Sequence, residues 1–186
     1  MLRIKTRQSR TRRLLCVTLG VSASMVAHAN PQAPTVAAGT ASFANPNSAT
    51  LEITNSPNAI TNWQSFDIGV GETTRFIQQD AASAVLNRVT TGNASEILGN
   101  LLSNGRVFLV NPAGILVGRD GMIDTAGLVM STLNITNENF LAGRYEFTGD
   151  AASGQITNHG YIKTTPGGEI VLLAPKILNA PEAGNP

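Results

Sequence analysis

The sequence predicts an all-β chain wound as a parallel β-helix with an N-terminal cap. Three observations predict it. From Thr35 onward the chain consists of apolar or β-branched pieces of three to six residues, each bounded by Asn, Gly, Asp, Ser or Pro. Sustained helical periodicity is absent. Finally, Gly121-Met122-Ile123-Asp124-Thr125 recurs as Gly160-Tyr161-Ile162-Lys163-Thr164, an offset of roughly 40 residues between Gly121 and Gly160.

A coil of strands cannot bury its own apolar residues, so successive coils stack at about 4.8 Å and enclose a shared core. Two coils of about 20 residues fit the offset. On that spacing the 157 residues after position 29 suffice for about seven coils, a rod on the order of 35 Å long. Ile156 and Ile162 are expected to face inward on either side of the polar corner Asn158-His159. The first coil needs cover, and residues 30 to about 60, rich in Ala, Thr, Asn and Pro, are the candidate cap. Ser95 to Leu102, SEILGNLL, fits a helical face and strand alternation equally well. The rival architecture is an antiparallel sandwich, which also yields many short strands.

The N-terminal segment 1–29 has a different chemistry. Arg3, Lys5, Arg7, Arg10, Arg12 and Arg13 precede an apolar stretch from Leu14 to Val26, and Ala27-His28-Ala29 supplies small residues before a cut between Ala29 and Asn30. This is the pattern of a secretory signal peptide, too short in its apolar run to span a bilayer as a stop-transfer helix. Thr11-Arg12-Arg13-Leu14-Leu15 only loosely imitates a twin-arginine signal, so Sec export is expected. Cys16 stands at the front of the apolar run, where a lipoprotein cysteine would follow it. Beyond Ala29 the chain keeps seven Lys and Arg against twelve Asp and Glu, a net charge near −5. That balance disfavours nucleic-acid binding. No cysteine remains for a disulfide, a zinc thiolate or a nucleophile.

Signs of catalysis are few. His159 is the one histidine after the signal, which disfavours His-based triads and multi-histidine metal sites, and no cofactor is expected. Gly69-Val70-Gly71-Glu72-Thr73-Thr74 begins like a dinucleotide fingerprint but lacks its third glycine and leads into strand-like sequence, so it reads as a turn. Asp120 and Asp124 form the closest carboxylate pair, beside Arg119, but Asp120-Gly121 is turn chemistry. Trp63 is assigned to core or cap packing, with Phe66 and Ile68 on one strand face and a corner needed to bring Trp63 to it. The sequons Asn93-Ala94-Ser95 and Asn134-Ile135-Thr136 receive no function.

In RVFLVNPAGILVG, Arg106 to Gly118, Asn111 is placed to bond forward into a turn. Pro112 fixes its own φ at about −65°, and Gly114 suits the fourth position of a type I turn. The stereochemistry explains the bend and leaves a further role open.

Residues 33 to 178 closely resemble the N-terminal secretion domain of two-partner secretion (TPS) exoproteins, the filamentous haemagglutinin and high-molecular-weight adhesin family. Four ordered pieces carry the resemblance: NWQSFDIG (Asn62 to Gly69), SAVLNRVT (Ser83 to Thr90), SNGRVFLVNPAGI (Ser103 to Ile115) and GGEIVLLA (Gly167 to Ala174). It implies a right-handed parallel β-helix with an N-terminal cap and no hydrolytic activity. After Sec passage, such a domain is recognised by the periplasmic POTRA region of a dedicated outer-membrane β-barrel transporter of the TpsB type and leads the exoprotein through that barrel to the cell surface of a Gram-negative bacterium. The family's Asn-Pro-Asn-Gly-Ile secretion motif maps onto Asn111, Pro112, Gly114 and Ile115, with Ala113 departing from it. Asn45-Pro46-Asn47-Ser48 is similar to a second motif of some members but falls too early, and reads as a cap-region turn.

The expected domains are therefore a signal peptide at 1–29, the TPS secretion domain at 30–180, and a linker or truncated end at 181–186. The expected cargo is an adhesin or haemagglutinin, whose receptor on a host cell or glycan would bind a downstream region. The alternatives are a β-helical carbohydrate-active enzyme or a glycan-binding module. Strand addition, in which the transporter's sheet edge pairs with an extended segment of the unfolded or partly folded chain, is the expected mode of recognition, with the strands around Asn111 and the segment 50–68 supplying the surface.

Overall fold

The computed structural model describes residues 30–149 and 153–180. Residues 1–29, the expected signal peptide, and residues 181–186, the expected linker or truncated end, lie outside them. Two short strands come first, β1 (Thr35–Ala38) and β2 (Ala41–Asn47), and the first coil follows with β3 (Thr50–Asn55) and β4 (Ala59–Trp63). The next coils run β5 (Thr73–Ile77), β6 (Ala84–Val89), β7 (Ser95–Ile97), then β8 (Asn100–Ser103), β9 (Arg106–Val110), β10 (Ile115–Val117). After β11 (Met122–Thr125) and β12 (Gly127–Ser131) the chain leaves the coil beyond Ser131, forms the helix α1 (Asn137–Leu141), and rejoins the stack in β13 (Ile156–Asn158). β14 (Tyr161–Thr164), β15 (Ile170–Leu173) and β16 (Ile177–Asn179) close the series.

These strands stack as a parallel β-helix with three sheets, ordered β1-β4-β6-β9-β12-β15, β2-β3-β5-β8-β11-β14 and β7-β10-β13-β16. Every pairing is parallel except β1 on β4 and β2 on β3, which run antiparallel and cover the first coil. Each long sheet has six members, so the solenoid has about six layers where coil length alone suggested seven. The cap is also shorter than expected, because β3 and β4 already belong to the parallel stack and only residues 30–49 precede it.

The sequence repeat has a different cause from the one its spacing suggested. Met122 pairs with Tyr161 and Thr125 with Thr164 in adjacent strands, so the offset from Gly121 to Gly160 is one coil and not two. Thr50 pairs with Thr73 and Asn100 with Met122, so an ordinary coil takes only about half that length. The excursion accounts for the excess. In SEILGNLL alternation prevails over helix: Ser95, Ile97 and Leu101 are buried in β7 and β8, with Leu98-Gly99 as the corner between them.

The solenoid interior is lined by Ile53, Val85, Val107, Leu109, Ile115, Ile123, Leu128 and Met130, drawn from successive coils. Its N-terminal end is plugged by aromatics. Trp63 meets Phe66 edge-on at 5.6 Å, Phe66 stacks on Phe76 at 6.4 Å, and Phe43 of β2 meets Trp63 edge-on at 5.6 Å. A corner at Gln64-Ser65 brings Trp63 to the same side as Phe66 and Ile68, and all three are fully buried. Burying side chains of this size contributes roughly 1.5–3 kcal/mol each. The indole N–H donates to Asn87 Oδ1 at 2.9 Å, which satisfies both polar groups inside the coil.

One sheet is apolar on both faces. Outside the coil, Ile60, Leu86, Phe108, Val110 and Val129 form a second core with Ile135 and Phe140 from the excursion. This explains why Val107 to Val110 is continuously apolar: a strand covered on both sides loses its alternation. Phe140 and Tyr145 both pack on Phe108, at 5.2 and 4.9 Å between centroids, and Arg106 lies 5.6 Å over the Phe108 ring. The half-buried Arg88 fastens the excursion by donating to Asn62 Oδ1, Asn134 Oδ1, Asn137 Oδ1 and the Ile135 carbonyl. Burial pushes its guanidinium below the ordinary value, and the nearby Glu138 carboxylate acts the other way.

Candidate functional site

The corner Asn111-Pro112-Ala113-Gly114 joins β9 to β10. Gly114 N–H donates to Asn111 C=O at 3.1 Å, closing a four-residue turn, and Ala113 N–H donates to Asn111 Oδ1 at 3.0 Å. Pro112 suits the second position because it pre-sets φ and needs no amide partner. Gly114 has φ +131°, a region that disfavours any residue with a Cβ.

The rest of the Asn111 amide reaches backward by one coil. Its Nδ2 donates to the Asn93 carbonyl at 3.0 Å and to Ser95 Oγ at 2.9 Å. Its own N–H donates forward to Ser131 C=O at 2.9 Å. Asn111 is therefore fully buried with each polar group in use, and it ties three consecutive coils together. The Asn93-Ala94-Ser95 triplet, which the sequence left without a role, supplies two of these acceptors. No spacing in the sequence announces these partners, because they follow from the register between stacked coils.

The excursion returns against the same corner. Gly154 N–H donates to Pro112 C=O at 2.7 Å, and Ile115 N–H to Gln155 C=O at 3.1 Å. A Cβ at position 154 would stand 2.4 Å from the Ala113 carbonyl oxygen, so only glycine fits there. A shallow groove runs beside Pro112, lined also by Asn134, Thr148, Gly149 and Ser153. Of the four motif positions, Asn111, Gly114 and Ile115 are buried and Pro112 alone is exposed. Ile115 belongs to the interior row, paired with Ser95 and Ile156. The motif is thus a structural lock with one exposed ring.

Asn30, the first residue after the expected cut, is buried, and its Oδ1 accepts from Thr74 Oγ1 at 2.9 Å. Ala29 lies outside the described residues.

The rejected chemistry has its own geometry. Asp124 forms an ion pair with Lys163 at 2.9 Å, which raises the Lys163 ammonium above its ordinary value, while Asp120 sits at an exposed corner. Gly69 to Glu72 is a closed turn, with Glu72 N–H donating to Gly69 C=O at 3.0 Å and Glu72 Oε2 accepting from Gly69 N–H at 3.0 Å. His159 Nδ1 lies 2.8 Å from Ala180 C=O at a coil corner. Among the described residues, no group of three or more His, Cys, Asp or Glu is placed to hold a metal ion.

The four sequence pieces that carried the resemblance converge here. β6 and β9 are neighbours in one sheet, β15 lies beyond β12 in the same sheet, and Asn62-Trp63 ends β4, which pairs with β6. A family model described as the TPS secretion domain matches residues 27–185. The chain belongs to the TPS secretion domain family. The crystal structure of the HMW1 secretion domain from Haemophilus influenzae superposes with a TM-score of 0.76 at 39% identity, covering 80% of this chain and 40% of that one. A heme/hemopexin-binding protein of Haemophilus influenzae is 36% identical over 132 residues, 68% of this chain but 15% of the relative. A second protein of that name and organism is 36% identical over 98 residues, covering 53% of this chain and 11% of its own length. The match thus spans a small part of these relatives, and the ligands in their name stay with them.

Domains of this family are exported to the cell surface or released by Gram-negative bacteria, and they imply a TpsB-type outer-membrane transporter as partner. The family is a secretion domain and not an enzyme class.

Proposed function

We propose that residues 30–180 act as an export address, read in the periplasm by the POTRA region of the cognate transporter after Sec passage and removal of residues 1–29 between Ala29 and Asn30. The observation that supports this most is the secretion-motif corner itself. Asn111, Pro112, Gly114 and Ile115 occupy the family positions, and the chain commits a buried asparagine and two steric glycines, Gly114 and Gly154, to holding that corner. The secretion domain then serves a surface protein with the role of an adhesin or haemagglutinin, whose receptor contacts lie in other regions of the whole protein.

The test is export of the signal-bearing chain in cells with and without the transporter. Transporter-dependent appearance outside the cell is expected, and export independent of the transporter would overturn the reading. Asn111→Ala and Pro112→Ala separate two roles of the corner. Loss of transporter binding in Pro112→Ala, with the melting temperature unchanged, marks the exposed ring as a contact. Unchanged binding and export in both variants reduces the corner to a turn.

A further inference from the structure

Each of the three sheets turns one face outward, and the three faces differ. On the sheet of β4, β6 and β9 that face is covered, because Ile60, Leu86, Phe108 and Val110 pack with the excursion. On β7, β10, β13 and β16 it is narrow, with three residues in every strand. The face of β3, β5, β8, β11 and β14 is broad, and Arg75, Ile77, Tyr161 and Lys163 stand exposed on it.

Ile53, Phe76, Leu101 and Ile123 point into the solenoid, so their neighbours Glu52, Arg75, Leu102 and Asp124 point out. Parallel register stacks these outward residues in one straight row, with Glu52 beside Arg75, Arg75 beside Leu102, Leu102 beside Asp124 and Asp124 beside Lys163. From β3 to β14 the row therefore reads acidic, basic, apolar, acidic, basic. Reversed, it is its own complement. An isologous contact requires that property, because in it residue i meets j and j meets i.

We infer that this face pairs with the same face of a second copy, about a twofold axis along β8 that sets Leu102 against the partner's Leu102. Glu52 then faces the partner's Lys163, and Arg75 faces the partner's Asp124. With the neighbours on each strand, these form two quartets of alternating sign, one on either side of the leucine pair. Asp124 and Lys163 are already joined at 2.9 Å, so half of each quartet is preformed. The adjacent row, Thr50, Thr73, Asn100, Met122 and Tyr161, is equally compatible. Its reversal sets Tyr161 over the partner's Thr50, Met122 over Thr73, and Asn100 against Asn100, whose amide both donates and accepts.

The alternating signs favour a second copy over a ligand of uniform charge. The four charges of the row sum to zero, so the net charge near −5 after the signal lies elsewhere on the chain, screened beyond about 8 Å at physiological salt. Five strands, of which β8, β11 and β14 have four residues each, give a contact on the order of 20 Å by 13 Å. That is well under the roughly 800 Å² per partner of a standard interface. The dimer is therefore weak, with a dissociation constant on the order of 100 μM, and it forms where export crowds many copies on one surface.

The test is sedimentation equilibrium of the signal-processed chain over concentrations that span this constant. Arg75→Glu sets like charges together across the axis, as does Asp124→Arg, and each variant alone is expected to dimerise at least about tenfold more weakly than wild type. An equimolar mixture of the two is expected to recover wild-type affinity, because each substituted charge then meets its opposite. Since no cysteine follows Cys16, Leu102→Cys places one thiol on the axis, and a short bismaleimide is expected to join two copies there but not through Leu141→Cys on α1. A wild-type chain that stays monomeric throughout overturns the inference, as do single variants that associate like wild type. A mixture that stays apart although both variants unfold cooperatively also overturns it, and so does crosslinking through Leu141→Cys in place of Leu102→Cys. If Arg75→Glu lowers transporter-dependent export while the wild type forms no dimer, the face belongs to the transporter and the inference falls.

Discussion

Asn47 and Asn111 do the same local job with different consequences. Each follows or precedes a proline, and each side-chain oxygen accepts the amide two residues on, from Ala49 at 2.9 Å and from Ala113 at 3.0 Å. Asn47 is exposed at the end of an edge strand, and its bond serves one turn. Asn111 is buried, and its Nδ2 also binds the coil before it. The difference lies in the neighbours, because among the described residues no coil is stacked beyond β2. An asparagine turn is local chemistry, whereas an asparagine lock exists only where coils stack.

Asn111→Ala is the largest expected break in that contrast. It removes the two donor bonds and leaves the Asn93 carbonyl, Ser95 Oγ and the Ala113 amide without partners in a closed corner. We expect a loss of about 3 kcal/mol in thermal or denaturant unfolding. A loss below about 1 kcal/mol would mean that water reaches the corner and that it is no lock.

Gly154→Ala attacks the same corner from the excursion. The new Cβ stands 2.4 Å from the Ala113 carbonyl oxygen and 2.7 Å from the Gly114 nitrogen, both backbone atoms of a pinned turn. Overpacking of this kind costs about 1–3 kcal/mol. Hydrogen exchange should locate the effect, with faster exchange at Gly154 and Ile115 and little change at the cap.

The contrast also marks how far the residues could be read unaided. Short apolar pieces with polar corners announce a coil because strand alternation and turn chemistry are local. Trp63, Phe66 and Ile68 were legible as core for the same reason, once a corner was allowed for. Asn45-Pro46-Asn47-Ser48 was read as the turn, yet Asn45 to Asn47 belong to β2 and the bend falls at Ser48-Ala49, since proline is tolerated at an edge that need not donate. The partners of Asn111 at positions 93 and 95 were not legible, because they depend on register between coils. The five-residue helix α1, capped by the Thr136 side chain at Asn139 N–H, is too short to show periodicity, and the excursion around it disguised one coil as two.

Asn47→Ala should be mild. It removes one exposed bond to Ala49 in a segment where water can replace it, and a net hydrogen bond is worth about 0.5–1.5 kcal/mol. We expect a loss at the bottom of that range and no change in export. A drop as large as that of Asn111→Ala would erase the distinction between turn and lock.

Ala113→Asn, which restores the family residue at the departing position, is expected to do least. Ala113 is half-buried, has no positive φ, and sits third in the turn, where asparagine is readily accepted. The Asn111 oxygen already receives its backbone amide, and the lock to Asn93 and Ser95 does not pass through its side chain. Stability should change by no more than about 0.5 kcal/mol, and export should match the wild type. A gain of several-fold in export at equal stability would show that the second asparagine of the motif contacts the transporter. In that case the corner carries chemical information beyond its shape, and Ala113 weakens this chain's address.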